Sequence, residues 1–135
     1  MNILNTSVSL ISLSTNDIIV SLPDSNSEND VLNYVRKLML LKFFKELYTL
    51  GARKIAVLGA PPVGCLPLER TTSGGILRMC VQRKNDASQL FNSMLREQLP
   101  ILANSLPQST VAYVDFYNPL ITGCKLQIEA AVEPG

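Results

Sequence analysis

The sequence predicts an α/β protein with three layers built on a parallel sheet. Three observations carry this: strand and helix signals alternate along the chain, one long apolar periodicity of three and four residues stops at a glycine, and a continuous apolar run follows directly. Connections long enough to hold a helix favour parallel neighbours, and helices on a parallel sheet cover its faces.

The first strand is read from Val8, Leu10 and the apolar run Ile11 to Leu13, which ends in the polar turn Ser14-Thr15-Asn16-Asp17. Ser9 and Ser12 interrupt this apolar stretch, and no Lys or Arg precedes Arg36. It therefore lacks the basic and uniformly apolar regions of a signal peptide and is too short to span a bilayer. Residues 23 to 30 read as a loop of Asp, Ser and Asn, with Ser27 as N-cap of the following helix and acids favouring its positive end.

From Val31 the positions Leu32, Val35, Leu38, Met39, Phe43, Leu47 and Leu50 form one apolar stripe, and Gly51 stands where a C-terminal cap belongs. Ile55 to Leu58 then reads as a strand covered on both faces. A second helix is expected from about Asn85 to Leu106, with Leu90, Phe91, Met94, Leu95, Leu99 and Leu102 inward and Pro100 kinking or splitting it. Thr110 to Tyr117 supplies the third strand, and Asn118-Pro119 is expected to turn the chain. The order is β-α-β-α-β.

At 135 residues, with 47% hydrophobic and 17% charged positions, the chain suits one globular domain. A net charge of +1 with scattered Lys and Arg offers no phosphate-tracking surface, so nucleic acid is excluded as a partner. Lys42, Lys45, Arg53 and Lys54 read as a solvated helix end. Three cysteines leave at least one unpaired.

Ester hydrolysis by nucleophilic catalysis needs a nucleophile, a base to take its proton and donors aimed at the oxyanion. The sequence contains no histidine, so neither a Ser-His-Asp nor a Cys-His site can be assembled from it. It has no Gly-x-Ser-x-Gly elbow and no metal-ligand spacing, and neither metal nor cofactor is expected.

The run Leu47-Tyr-Thr-Leu-Gly-Ala-Arg-Lys-Ile-Ala-Val-Leu-Gly-Ala-Pro-Pro-Val-Gly-Cys-Leu-Pro67 is followed by Gly74-Gly75 and then by Arg78, Cys80-Val81, Asn85, Ala87 and Leu90-Phe91-Asn92. This succession closely resembles the central block of the plant GDSL esterases and lipases, also called SGNH hydrolases. The resemblance implies a three-layer α/β/α fold with a partial, flavodoxin-like parallel sheet, and a serine esterase acting on acyl esters or lipids. In that family a Gly-Asp-Ser nucleophile, a Gly, a Gly-x-Asn-Asp block and an Asp-x-x-His block supply the site. Ser14-Thr15-Asn16-Asp17 is the counterpart of the third, which makes Asn16 the oxyanion-hole side-chain donor; Ser14 departs from the family glycine. On residue types alone Asn16-Asp17 reads as a turn after a strand.

Asp24-Ser25 follows Pro rather than Gly and comes after the Asn-Asp block, so it is read as loop and not as the nucleophile. Asp115 ends a strand but belongs to no family catalytic block, and is read as structural. Pro61-Pro62 with Gly64 is read as stiffening the loop after the second strand. The resemblance further implies that Cys65 and Cys80 are neighbours able to form a disulfide, the alternative being two buried thiols, with Cys124 unpaired.

The resemblance covers about residues 8 to 120, the middle of a full-length enzyme. Residues 1–120 are accordingly expected to be a partial hydrolase domain, and residues 121–135 a divergent tail. Family members are commonly secreted, although no signal peptide is recognised in this chain. An incomplete sheet should leave one face or edge uncovered. The chain by itself is expected to be inactive; a non-catalytic lipid- or partner-binding α/β module is the alternative.

Overall fold

The computed structural model describes residues 3–12 and 42–132. The Asn16-Asp17 turn, Asp24-Ser25 and the first part of the long helix stripe, Val31 to Leu38 and Met39, lie outside these residues.

A short helix α1 (Ile3–Thr6) precedes strand β1 (Val8–Ile11). Helix α2 (Lys42–Thr49) leads to β2 (Lys54–Leu58). A single 3₁₀ turn (Val63–Cys65), helix α3 (Pro67–Ser73) and the long helix α4 (Gln82–Asn104) follow. Strand β3 (Thr110–Val114) and helix α5 (Tyr117–Val132) complete the described chain. The fold is α/β with a three-stranded, wholly parallel sheet of order β1-β2-β3, as the alternation of signals requires.

Helix α2 ends as its glycine dictates. Gly51 has φ of 113°, its N–H donates to the Tyr48 carbonyl, and the Ala52 N–H donates to that of Leu47, a Schellman closure. The Arg53 guanidinium adds hydrogen bonds to the Tyr48 and Ala52 carbonyls and stacks 4.0 Å from the centre of the Tyr48 ring. Arg53 is thus half-buried and engaged, unlike the solvated group expected, because carbonyl oxygens at and just past a helix end keep lone pairs that attract a cation.

Register puts Ser9, Ile55 and Val111 in one row and Ile11, Val57 and Tyr113 in another. Those rows share a face, and on it Phe44 from α2 and Phe91, Leu95 and Leu99 from α4 join Ile11, Ile55 and Val57 in the core. The opposite face carries the rows Val8-Lys54-Thr110 and Leu10-Ala56-Ala112, and Val8, Leu10 and Ala112 are exposed. Cover for β2 is therefore unequal, against the expectation of two buried faces: Ile55 and Val57 are buried, whereas Ala56 and Leu58 are half-buried.

Helix α4 passes through Pro100 without dividing. Proline costs one N–H donor and crowds the preceding turn, yet it lies only four residues from the helix end, and Leu99 and Leu102 on either side are buried. Pro119 likewise does not force a turn. It occupies the third position of α5, where its missing N–H is one of the donors no helix uses.

Candidate functional site at the carboxyl edge of the sheet

Parallel strands bring their carboxyl ends to one edge, where open α/β sheets bind ligands. The Gly59 N–H donates to the Val114 carbonyl at 3.0 Å, fixing the exit of β2 beside the exit of β3. The exit of β2 is the loop Gly59 to Cys65; that of β3 is the segment Asp115 to Asn118.

The first loop is held by a polar stripe on α4. Asn85, Ser88 and Asn92 sit at helical spacing on its buried face. The Asn92 carboxamide accepts from the Ala60 N–H at 2.5 Å and donates to the Ala60 carbonyl at 2.9 Å. Ser88 Oγ accepts from Val63 N–H at 3.5 Å, and Asn85 Oδ1 accepts from Gly64 N–H at 2.8 Å. Asn85 Nδ2 then points to Cys65 Sγ, 3.3 Å away. A loop of two prolines and two glycines cannot supply regular backbone partners, so the helix supplies them.

Beyond the stripe, Cys65 and Cys80 are joined by a disulfide, with Cα atoms 4.4 Å apart, and Val81 N–H donates to the Gly64 carbonyl. Cys124 is free and half-buried on α5.

The second exit is capped by Asp115. Its Oδ1 accepts from the N–H groups of Tyr117 and Asn118 at 3.0 and 3.1 Å, and its Oδ2 accepts from Asn118 Nδ2 at 2.6 Å. These bonds, the Asn118 side chain's foremost, hold the carboxyl below the usual aspartate range. Arg96 Nη2 is 3.9 Å from Asp115 Oδ2. Asp115 is structural, starting α5.

A cavity of about 400 Å³ opens between α4 and this second exit, lined by Asn92, Arg96, Tyr113, Asp115, Tyr117 and Asn118 among others. The Arg96 guanidinium lies 4.5 Å from the centre of the Tyr113 ring. The Tyr113 hydroxyl is buried without a hydrogen-bond partner and abuts Gly59, where no side chain would fit. Burial raises the Tyr113 pKa, with Arg96 opposing in part. Its lining presents a guanidinium, a carboxylate, carboxamides and phenols. Among the described residues it shows no nucleophile hydrogen-bonded to a base, and no cluster of His, Cys, Asp and Glu is disposed to hold a metal.

The sequence model of the family described as GDSL-like lipase/acylhydrolase matches residues 2–129. The chain belongs to that family. The GDSL esterase/lipase EXL3 of Arabidopsis thaliana is 47% identical over 79 residues, which is 58% of this chain and 22% of that protein. EXL2 of the same plant is 38% identical over 124 residues, 88% of this chain and 33% of that protein. The chain thus spans about a third or less of the length of these curated relatives. No solved structure matches it. The GDSL match runs past Leu120 into the last helix, and no helix among the described residues is long and apolar enough to cross a membrane.

Within the family frame, Gly59 and Asn118 share the carboxyl edge, while Asn16 lies outside the described residues. The sequence reading missed Arg96, Tyr113 and the role of Asn92. Its available signal was three small polar residues, Asn85, Ser88 and Asn92, recurring on an otherwise apolar helix face.

Proposed function

We propose that this chain is a segment of a carboxylic ester hydrolase acting on acyl esters or lipids, to which it contributes an oxyanion donor and one wall of the site. The observation that carries this is the family match over residues 2–129, which takes in the Ser14 to Asp17 block. The Arabidopsis relatives are named esterase/lipases. Asn16 would donate its carboxamide N–H to the oxyanion, and the braced Gly59 to Cys65 loop would hold the neighbouring wall still, which is what preorganised stabilisation of developing charge requires.

The 135 residues contain no histidine, so they cannot supply the usual base for a serine nucleophile, and alone they turn over no ester. That same lack favours a binding role for the isolated chain.

Two measurements test the proposal. The purified chain should hydrolyse nitrophenyl butyrate no faster than its Asn16→Ala variant, and a fluorophosphonate probe should label no serine. Exchanged for the matching segment of EXL2, it should give an active chimera in which Asn16→Ala lowers kcat by about 10²–10³-fold. A chimera that folds, by its thermal transition, but is indifferent to Asn16→Ala would sink the oxyanion assignment.

A further inference from the structure

Between Cys65 and Cys80 the chain makes an excursion pinned at its base by the disulfide. Helix α3 runs out and a turn over Gly75 to Arg78 brings the chain back, closed by Arg78 N–H to the Gly75 carbonyl and Met79 N–H to that of Gly74. Arg70 Nε braces the turn by donating to the Arg78 carbonyl at 2.7 Å.

The two central residues of the turn are Ile76 and Leu77, exposed by 101% and 80%. Such positions normally take Gly, Asn, Asp, Pro or Ser, and neither side chain belongs to the core. Leu68 and Met79, on the outgoing and returning arms of the same excursion, are exposed as well. Around this apolar tip residues 66–84 carry Arg70, Arg78, Arg83 and Lys84 against one acid, Glu69, in a chain whose net charge is only +1. Glu69 is buried and held 2.9 Å from Lys84 Nζ, so no acid of residues 66–84 is left to oppose Arg70 and Arg78.

We propose that this disulfide-pinned loop is a docking finger for an anionic lipid surface. Ile76 and Leu77 enter the boundary between headgroups and acyl chains, and Arg70 and Arg78 lie against lipid phosphates. A convex tip with fully exposed aliphatic side chains suits a soft surface that closes around it. The local excess of cations matches the charge of that surface. Docking of this kind needs no ester turnover, so it stands apart from the hydrolytic reading and fails separately.

The test is flotation of the oxidised 135-residue chain with vesicles of phosphatidylcholine alone or doped with phosphatidylglycerol. The chain should float with the doped vesicles, less with the neutral ones, and less as salt rises. The double variant Ile76→Asp, Leu77→Asp should weaken binding at least about tenfold. Arg78→Gln should weaken binding to the doped vesicles about fivefold. Both variants change exposed side chains, so their thermal transitions should match the parent's and lost binding cannot be ascribed to unfolding. Failure of the parent to float, equal flotation of the double variant, or sedimentation showing an Ile76-dependent dimer in place of flotation would each overturn the proposal.

Discussion

The Asn92 carboxamide clasps the peptide of Ala60 on both sides, accepting from its N–H and donating to its carbonyl across 32 positions of sequence. Both residues are buried, so neither backbone group can turn to water instead. Helix α4 therefore completes the loop that follows β2, and the conformation of that loop depends on the helix packing where it does.

Asn92→Ala should leave both Ala60 groups unpaired and lower stability by about 3 kcal/mol. In urea unfolding the midpoint should fall with the slope unchanged. Asn92→Asp should recover less than half of the loss, because a carboxylate accepts from the N–H but presents lone pairs to the carbonyl. A loss under about 0.5 kcal/mol for Asn92→Ala would mean that the loop is held by other contacts.

Three glycines should respond to alanine in opposite directions. A methyl on Gly64 would run into the Val81 carbonyl oxygen and crowd Asn85 Oδ1, so Gly64→Ala should cost about 2 kcal/mol or more. Gly75 has open space around it but a φ of 69°, and Gly75→Ala should cost about 1 kcal/mol through backbone strain. Gly123 lies in α5 with nothing within 4 Å, so Gly123→Ala should stabilise by about 0.5–1 kcal/mol. Thermal midpoints of the three variants decide the order.

The Cys65–Cys80 bridge closes a loop with a sequence separation of 15, for which the chain-entropy model gives about 3 kcal/mol. Reductant should lower the thermal midpoint of the parent to that of Cys80→Ser, and should leave Cys80→Ser itself unmoved. A parent indifferent to reductant would show that the bridge does not restrict the unfolded chain as this model requires.

What the sequence revealed of this fold was what local chemistry decides. Gly51 stops α2 because only a left-handed residue closes that helix end, and the apolar spacing of Phe91, Leu95, Leu99 and Leu102 marks the buried face of α4. No helix is expected from the sequence between the Pro61-Pro62 loop and Gly74-Gly75, where α3 runs, although Pro67 at a first helical position signals a start. Helix α5 was obscured in the same way, since Asn118-Pro119 reads as a break until Asp115 is seen to cap it. The cavity was beyond reach. It depends on Arg96 meeting Tyr113 and Asp115, residues brought together only when α4 packs across the sheet. The sequence places Asn85 and Asn92 on a helix, but their partners 21 and 32 positions away carry no local mark.

The Asp115 cap gives a pH dependence whose sign follows from its hydrogen bonds. Three donors from Tyr117 and Asn118 favour the ionised carboxylate, so its folded-state pKa lies below the unfolded value, near the ordinary aspartate figure of about 3.9. Its contribution is present in full above that unfolded value and is lost as pH falls through the folded one. Asp115→Asn keeps an acceptor for the helix N–H groups but loses the charge, the better bond to Asn118 Nδ2 and the attraction to Arg96. The variant should therefore be less stable than the parent at neutral pH, and the gap should narrow as pH drops below about 4. Because Asp115 is partly exposed, the neutral-pH gap is expected to be that of a solvated cap, about 1 kcal/mol or less. Urea midpoints of the pair between neutral and acid pH make the comparison; a gap that stays constant through the acid range would show that Asp115 acts through shape and not through its charge.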